Sequence, residues 1–517
     1  MDIRQQLDIA FRSNVKSHNE KVTKNRYVLT KIIDCILFCS TFELALRGHD
    51  ERDDSLNTGV FRGLINFSAK LDSSLKDHLT SATVFKGIQN DLLDCMLTVC
   101  QKHIKNEISK ASFVSVIADE TTDVSSICQL VVVFRYVLSN GQPVERFWGF
   151  TNPPGHDSKS IAECIQASLE KVVAKPEKLI SQSCDGRNVM SGQHAGVQAF
   201  IQCAYKNAQY VHCYAHQLNL IVGQATSQNQ HVRVFFFPNL SDITNFFNKF
   251  PQRIAILDET VRKRIPHGSA TRWNSKSRTI NTVYEYREQL VECMGKIEST
   301  SKQTVAINQA GTIRAEKERK RMDTVAKEIS ASYETSRKRK RENIHINRTV
   351  AAREICDVIS NQVKERFCFI SHYSAVSLLE APKFQEYEKK FPTQILDQTT
   401  DVYSMLQKDR LKTELGVIYR RSDFRNMTGA ISLLQFIIEK NLQTTFSETH
   451  KLLLIIVTIP MITAEAERCF STLKRVKTFL RSTMSEDRLS VLAMLSIEKR
   501  MINDIPKFNE NIIDLFA

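Results

Sequence analysis

Apolar residues recur at intervals of three and four along the N-terminal part of the chain. The clearest stretch, residues 26–48, reads RYVLTKIIDCILFCSTFELALRG. This spacing places apolar side chains on one face of a helix. The pattern therefore predicts a helical region over residues 1–110.

From Ala111 the pattern changes to short runs rich in β-branched and aromatic residues, which are typical of strands. We interpret five runs as strands: FVSVIAD, CQLVVVFRYVL, VERFWGFT, KLISQSC and AQYVHCYAH. Two segments with helical spacing, SKSIAECIQASLEKVVA and SGQHAGVQAFIQCAY, separate the last three runs. Three consecutive strands, followed by strands that alternate with helices, predict a mixed α/β sheet over residues 111–226.

Strand signals fade over residues 227–447, which we predict to be helical. The apolar run KLLLIIVTI then ends at Pro460, and two amphipathic helices follow, with Thr463 and Ser485 as candidate N-caps. The apolar face of the first helix comprises Phe470, Leu473, Val476 and Leu480. Both helices carry more apolar surface than their length would bury, which indicates that they contact a partner.

Length and composition predict a globular protein of two to four structural units. The chain has 517 residues, of which 42% are hydrophobic and 25% are charged. The N-terminus lacks the apolar segment of a signal peptide. The longest largely apolar run, residues 452–462, is well short of the ~20 residues that span a bilayer. We expect a soluble, intracellular protein with no membrane partner.

The net charge of +14 favours a polyanionic partner. Part of this charge lies in residues 311–341, which contain eleven basic and five acidic residues. The densest basic run is Arg337, Lys338, Arg339, Lys340 and Arg341. Such a run is equally typical of a solvated helix face and of a segment for nuclear import or phosphate contact.

Thirteen cysteines are scattered without a CxxC pair, which predicts free thiols and no structural zinc. The segment HCYAH nevertheless contains a CxxH pair, Cys213 and His216. From the residues alone, this pair is either half of a zinc site or a buried cysteine and histidine with local hydrogen bonds.

Three carboxylates stand where ordered elements begin or end. Asp119 ends the first apolar strand, Asp185 follows KLISQSC just before Gly186, and Glu467 lies on a helix after the buried run. Carboxylate oxygens are the ligands that Mg²⁺ prefers, and two such ions can activate a nucleophile and stabilise a leaving oxygen. Any single acidic residue is, however, more often an ordinary surface residue.

A series of motifs resembles those of hAT-superfamily transposases, in the branch of zinc finger MYM-type protein 1-like sequences. In chain order they are ELALRGHDE, ADETTD, CDGRNVMSG, VHCYAHQLNL, ATRWNS and TAEAERCFSTLKRVKTFLRSTMSEDRLSVLAMLSIE. The resemblance implies an α/β, RNase H-like catalytic core interrupted by a large all-helical insertion, with a helical N-terminal region and C-terminal dimerisation helices. The core would comprise residues 111–226 and part of 448–517, with the insertion at 227–447.

The resemblance also implies roles for individual residues. A DDE triad that holds Mg²⁺ or Mn²⁺ would consist of Asp119, Asp185 and Glu467, with Glu120, Asp123 and Glu465 as solvated neighbours. The residues that would organise DNA are Cys213, His216, Arg272 and Trp273. Trp273 would stack on a flipped base, and Arg272 would contact phosphate.

Two departures from the family pattern bear on activity. The chain begins inside the region that resembles a transposase, so we expect no N-terminal zinc finger. Residues 298–348 are polar and basic, and shorter than the family's helical insertion.

Two functional hypotheses follow. The first is a nuclear cut-and-paste DNA transposase that forms a homodimer or higher homo-oligomer. The second is an inactive, domesticated or decayed nuclear protein that acts through dimerisation and partner binding. A third and weaker hypothesis is a zinc-dependent enzyme whose metal site includes Cys213 and His216.

Overall fold

A computed structural model describes residues 3–48, 55, 57–79, 85–186, 188–229, 237–266, 273–300, 310, 348–367 and 374–517. The chain divides into two compact units. The first contains residues 1–214 and 370–517, and the second contains residues 215–369. None of the helices within the described ranges is both long and apolar enough to span a bilayer.

The first unit is built around a five-stranded mixed sheet. Its strands are β1 (Val114–Thr122), β2 (Cys128–Val137), β3 (Pro143–Thr151), β4 (Leu179–Cys184) and β5 (Gln209–His212). The spatial order is β3-β2-β1-β4-β5. β1 pairs antiparallel with β2 and parallel with β4, and β4 pairs parallel with β5. The predicted mixed α/β sheet is confirmed, and each apolar run that suggested a strand contains one.

Helices surround the sheet in the first unit. The N-terminal and inter-strand helices are α1 (Ile3–Thr41), α2 (Val60–Leu71), α3 (Ser73–Leu79), α4 (Phe85–Lys110), α5 (Ser158–Glu170), α6 (Asn188–Ser191) and α7 (Val197–Ala204). The predicted helix over residues 191–205 is therefore wrong in extent. It is split into α6 and α7, because the chain turns at Gly196, where any side chain would collide with Gly192.

The second unit is helical wherever it is described. Its helices are α8 (Tyr214–Gln228, beginning at the last residue of the first unit), α9 (Phe237–Asn248), α10 (Pro251–Thr260), α11 (Trp273–Glu285), α12 (Arg287–Thr300) and α13 (Arg348–Arg366). Phe247, Leu257 and Cys293 are fully buried in its own small core. Arg366 donates hydrogen bonds to the side chains of Gln217 and Gln224, at 3.2 and 2.6 Å, and so links α13 to α8.

The C-terminal part of the chain returns to the first unit. It contains α14 (Phe384–Lys389), α15 (Thr393–Val402), α16 (Lys408–Arg420), α17 (Ala430–Glu439), α18 (Ser447–Thr458), α19 (Ala464–Val476), α20 (Glu486–Ile497), α21 (Lys499–Asp504) and α22 (Phe508–Phe516). The helices of residues 384–439, which the sequence pattern assigned to the insertion, belong to this first unit. They share one apolar core with Val137, Ile180 and Val211 of the sheet.

The apolar residues of α19 and α20 are buried within the chain itself. Phe470, Leu473 and Val476 join the core formed by the sheet and the N-terminal helices, as do Leu489, Leu492, Met494 and Leu495. Packing within the protomer therefore accounts for the burial of these apolar side chains. Leu480 does not share their face because α19 ends at Val476, and its side chain is 92% exposed. Thr463 and Ser485 stand at the N-cap positions, but neither side chain makes a capping hydrogen bond.

Helix α20 covers the outer edge of the sheet. Strand β3 is the edge strand, and its outward backbone groups bond to side chains of α20 and the residue after it. The amide of Phe150 donates to Ser490 Oγ at 3.1 Å, and this hydroxyl donates back to the Phe150 carbonyl. The Phe147 amide donates to Glu498 Oε1 at 2.7 Å. An edge covered in this way cannot pair with a strand of another chain.

Candidate functional site

Asp119, three residues before the end of β1, and Asp185, directly after the neighbouring parallel strand β4, lie near the same end of the sheet. Ile117 of β1 pairs with Ser183 of β4, and each aspartate lies two residues further along its chain. Because side chains alternate along a strand, both aspartates continue the side of the sheet to which Ile117 and Ser183 belong. Adjacent strands are about 4.8 Å apart. Asp119 is only 4% exposed and Asp185 only 7%.

The pKa of the Cys184 thiol is affected by the same two carboxylates. Burial raises the pKa of its thiol, and the negative charges of Asp185 and Asp119 raise it further. The thiol therefore stays neutral, and both carboxylates act on one sulfur atom. Two buried acids that both act on one buried thiol are typical of a functional site.

The backbone after Asp185 is held against strand β5. Tyr210 Oη donates a hydrogen bond to the Asp185 carbonyl oxygen at 3.0 Å. Gly186 lies against the His212 imidazole so closely that a Cβ at this position would be 2.1 Å from Cε1 and Nε2 of the ring. Tyr210 and His212 were not identified from the sequence. Their alternation in the run QYVH, beside the strand that ends in Asp185, is the only signal that points to them.

We expect Gly186→Ala to displace the His212 ring and to lower the free energy of unfolding by about 1–3 kcal/mol, as overpacking does. The measurement is chemical denaturation, with Gly416→Ala as the control. Gly416 lies in α16 and has open space around it, so its replacement should be stabilising by roughly 0.5–1 kcal/mol. Equal effects of the two substitutions would contradict the close packing of Gly186 on His212.

Cys213 holds the segment that leads into α19. Its side chain is 1% exposed, and its sulfur accepts a hydrogen bond from the Thr463 amide at 3.3 Å. The next amide, that of Tyr214, donates to the Met461 carbonyl at 3.1 Å. Since Cys184 pairs with His212, Cys213 lies in register beside Asp185. The start of the helix that carries Glu467 is thus fastened beside the second aspartate.

Glu467 lies in the first turn of α19, and its amide donates to the Thr463 carbonyl at 3.4 Å. Helix α19 packs against β1 and β2. Residues two apart on a helix point about 200° away from each other, so Glu465 and Glu467 face different sides. In the described part of the chain, no three His, Cys, Asp or Glu side chains form a group that could hold a metal ion. The structure brings Asp119 and Asp185 together, without Glu467 as the third member of such a group.

Two of the residues predicted to be solvated neighbours have little exposed side-chain surface. Asp123 and Lys477 form an ion pair at 2.6 Å, with side chains 1% and 3% exposed. Glu465 is 14% exposed and pairs with Arg468 at 2.8 Å. Burial raises the pKa of Glu465, and Arg468 only partly offsets this. The prediction that Asp123 is solvated is therefore wrong, because the Lys477 side chain directly after α19 pairs with its carboxylate and covers it.

The remaining predicted site residues are His216, Trp273, Arg272 and the basic run. His216 is half-buried in the first turn of α8. Helix α11 begins at Trp273, whose side chain is outside the described residues. Arg272 and the basic segment 311–341, including Arg337 to Arg341, also lie outside them. Their roles stay predictions.

A polar cleft of about 920 Å³ opens where β2 and β3 meet α19 and α20. Three acidic side chains line it, those of Glu145, Glu465 and Glu498. The six cationic side chains that line it are Arg135, Arg146, Arg468, Arg475, Lys499 and Arg500. Ion pairs already engage several of them, such as Arg135 with Glu145 at 2.6 Å. The cleft lies towards the amino end of β1, whereas Asp119 lies near its carboxyl end, because Arg135 pairs with Ser115.

Two family descriptions match separate parts of the chain. Residues 2–196 match the ZMYM1/FAM200 RNase-like domain, which includes β1 to β4 and both aspartates. Residues 419–501 match the hAT family C-terminal dimerisation region, which includes α17 to α20 and Glu467. The matches agree with the motif resemblance and with the mixed sheet. The chain belongs to the proteins related to hAT-family transposases.

Proposed function

We propose that this protein catalyses phosphoryl transfer on DNA, cutting and joining strands as a transposase does. The observation that supports this proposal best is the buried pair of Asp119 and Asp185 near the carboxyl ends of β1 and β4. Rigid strands hold both carboxylates, so their geometry needs little reorganisation when a substrate binds.

The residues fit a divalent metal. Mg²⁺ is usually held by one or two carboxylates together with substrate phosphate, which two neighbouring aspartates can provide. Asp119 and Asp185 would hold the ion, and Glu467 would join them from α19. When bound, such ions activate an attacking oxygen and stabilise the leaving oxygen. Cys213 positions the segment before Glu467, and Gly186 lets the His212 ring lie beside Asp185.

Long-range electrostatics would supply affinity for DNA. The net charge of +14 attracts a polyanion regardless of sequence. We assign phosphate contact to Arg272, base stacking to Trp273 and organisation of the DNA end to His216. The run from Arg337 to Arg341 would serve nuclear import or bind phosphate, and the nucleus would be the site of action. Binding should weaken steeply as the salt concentration rises.

We expect the wild type to cleave labelled duplex DNA that carries the terminal repeats flanking its gene, in the presence of Mn²⁺. Asp185→Asn should abolish cleavage and leave salt-dependent DNA binding intact, because the substitution removes a metal ligand and none of the positive charge that attracts DNA. Asp504→Asn, which changes an exposed carboxylate, is the matched control and should cleave like the wild type. Simultaneous loss of cleavage and binding in Asp185→Asn would count against a metal role for Asp185.

A second candidate is a transposon-derived nuclear protein that dimerises and binds partners without catalysis. The match of residues 419–501 to the hAT family C-terminal dimerisation region supports it, because that region is named for self-association and not for catalysis. Calorimetric titration with Mn²⁺ separates the two candidates. Stoichiometric binding that is lost in Asp185→Asn supports the enzyme. A folded, self-associated protein that neither binds Mn²⁺ nor cuts DNA supports the second candidate.

A further inference from the structure

Four exposed apolar side chains lie on two adjoining segments of the first unit. Phe479 and Leu480 follow α19 and are 85% and 92% exposed. Val124 and Ile127 lie in the turn between β1 and β2 and are 47% and 38% exposed. We call these four residues the hairpin patch.

Both segments are held firmly in place. Lys477 pairs with Asp123, and Ser125 Oγ donates a hydrogen bond to the Ser482 carbonyl at 3.1 Å. Arg481 donates to the Glu43 carbonyl at 3.0 Å and so fixes the 3₁₀ turn Phe479–Arg481. The exposure of Phe479 and Leu480 therefore belongs to the folded protein, and it is not explained by a frayed helix end.

Phe479 and Leu480 stand out among the exposed apolar side chains of the matched segment. Residues 419–501 match a dimerisation region, yet the apolar faces of α19 and α20 are used inside the protomer. Within those residues, Phe479 and Leu480 are the most exposed large apolar side chains the structure describes. Apolar side chains this exposed, clustered on an ordered surface, are typical of a contact site for another protein.

We propose that the hairpin patch is the central contact between two copies of this chain. Phe479 and Leu480 would act as its anchors, with Val124 and Ile127 completing the surface from outside the dimerisation region. In a two-fold dimer each copy contributes the same patch, so every apolar contact occurs twice. Such central aromatic and aliphatic anchors dominate the affinity of an interface.

This location connects self-association to the carboxylate pair. Asp119 and Val124 are five residues apart on the same hairpin, and Asp119 lies within β1. A second copy on the patch would thus flank the end of the sheet where Asp119 and Asp185 lie. The inference rests on the dimerisation match and on exposure, and not on strand cleavage, so either can fail without the other.

The surroundings of the patch predict an unusual salt dependence. Lys474 in the last turn of α19 is exposed and lies five residues before Phe479, so two copies would bring these like charges near each other. Salt screens this repulsion and leaves the apolar contact in place. Self-association should therefore strengthen as salt rises, whereas bridging of two copies by nucleic acid would weaken.

The test is sedimentation velocity of the full chain, free of nucleic acid, as wild type and as Phe479→Asp/Leu480→Asp. The matched control is Phe67→Asp/Leu71→Asp, which changes the same residue types at 58% and 76% exposure on α2. We expect the wild type and the control to be dimers, and the patch variant to dissociate with a dimer Kd at least about thirtyfold higher. Circular dichroism should be unchanged, since all four side chains are exposed.

Val124→Lys provides a second variant on the other segment and should also weaken the dimer. A patch variant that remains as dimeric as the wild type would overturn the proposal. A wild type that is monomeric without nucleic acid, or equal disruption by the α2 control, would do so as well.

Discussion

Replacing Lys477 with methionine should lower the free energy of unfolding by about 3–5 kcal/mol, because it leaves a buried carboxylate without its cation. Asp123 and Lys477 lie 2.6 Å apart, and both side chains are almost fully buried. Asp123 also accepts hydrogen bonds from the amides of Ser125 and Ile127, at 2.7 and 3.1 Å. These amides orient the carboxylate but do not neutralise it. Urea denaturation measures the loss.

Lys383 and Glu380 provide a matched control for this effect. Their charged atoms lie 2.7 Å apart, nearly the same distance, but both side chains are 41% exposed. Lys383→Met should therefore change stability by less than about 1 kcal/mol. The double variant Asp123→Asn/Lys477→Met should lose less than Lys477→Met alone, since no unpaired charge remains. Similar losses in Lys477→Met and Lys383→Met would show that burial of the pair is unimportant.

The pKa of Asp123 leads to a related expectation. Burial by itself would raise this pKa, but the hydrogen bond from Lys477 and two backbone amides lower it below its usual value. The folded protein then binds fewer protons than the unfolded chain at acidic pH. The stability contributed by Asp123 is present above the ordinary pKa of an aspartate and is lost as the pH falls through the lowered value.

Stability should also fall as the pH rises from about 4.5 to about 7, through the buried carboxyl of Glu498. Its side chain is 5% exposed, and burial raises its pKa to about 7, against the opposing effects of the Phe147 amide and Arg146. In this pH window the folded protein holds a proton that the unfolded chain releases, so unfolding becomes easier as the pH rises. One pKa unit corresponds to about 1.36 kcal/mol, so the full effect is on the order of 3 kcal/mol.

Glu498→Gln should remove this pH dependence, because an amide does not titrate in the window. The oxygen that accepts from the Phe147 amide is retained, so the cover over β3 should persist. The measurement is the free energy of unfolding of both proteins between pH 4 and pH 8. Parallel curves for the wild type and the variant would contradict the assignment to Glu498.

Glu107 changes the pH dependence of stability in the opposite direction to Glu498. Burial tends to raise its pKa, but hydrogen bonds from His103 and Tyr136 and the charge of Arg146 lower it to about 2. Its stabilisation is therefore present above the ordinary pKa of a glutamate and is lost as the pH falls towards 2. The carboxyl groups of Glu107 and Glu498 both pair with the guanidinium of Arg146, at 3.3 Å each. Their pKa values nevertheless shift in opposite directions, because Glu498 is buried more deeply.

Local sequence patterns were sufficient to predict the strands and the positions of the first two carboxylates. Runs of β-branched and aromatic residues predicted the mixed sheet, since a strand needs side chains that fit a pleated, half-buried surface. An aspartate directly after such a run is expected at the end of a strand, which holds for Asp185 but not for Asp119, because β1 continues to Thr122. The local pattern pointed to each aspartate separately, and the motif resemblance joined them with Glu467.

Tertiary structure alone determined which surfaces these elements bury. The apolar faces of α19 and α20 could equally have served a partner, because periodicity shows that a face is apolar and not what covers it. The pairing of Asp123 with Lys477, 354 residues away, gave this loop acid a buried partner. Phe479 and Leu480, which follow the C-terminal end of α19, stay exposed in the folded protein. Sequence determined the elements of this protein, while the register of β1 and β4 and the packing of the C-terminal helices depended on long-range contacts that local patterns do not encode.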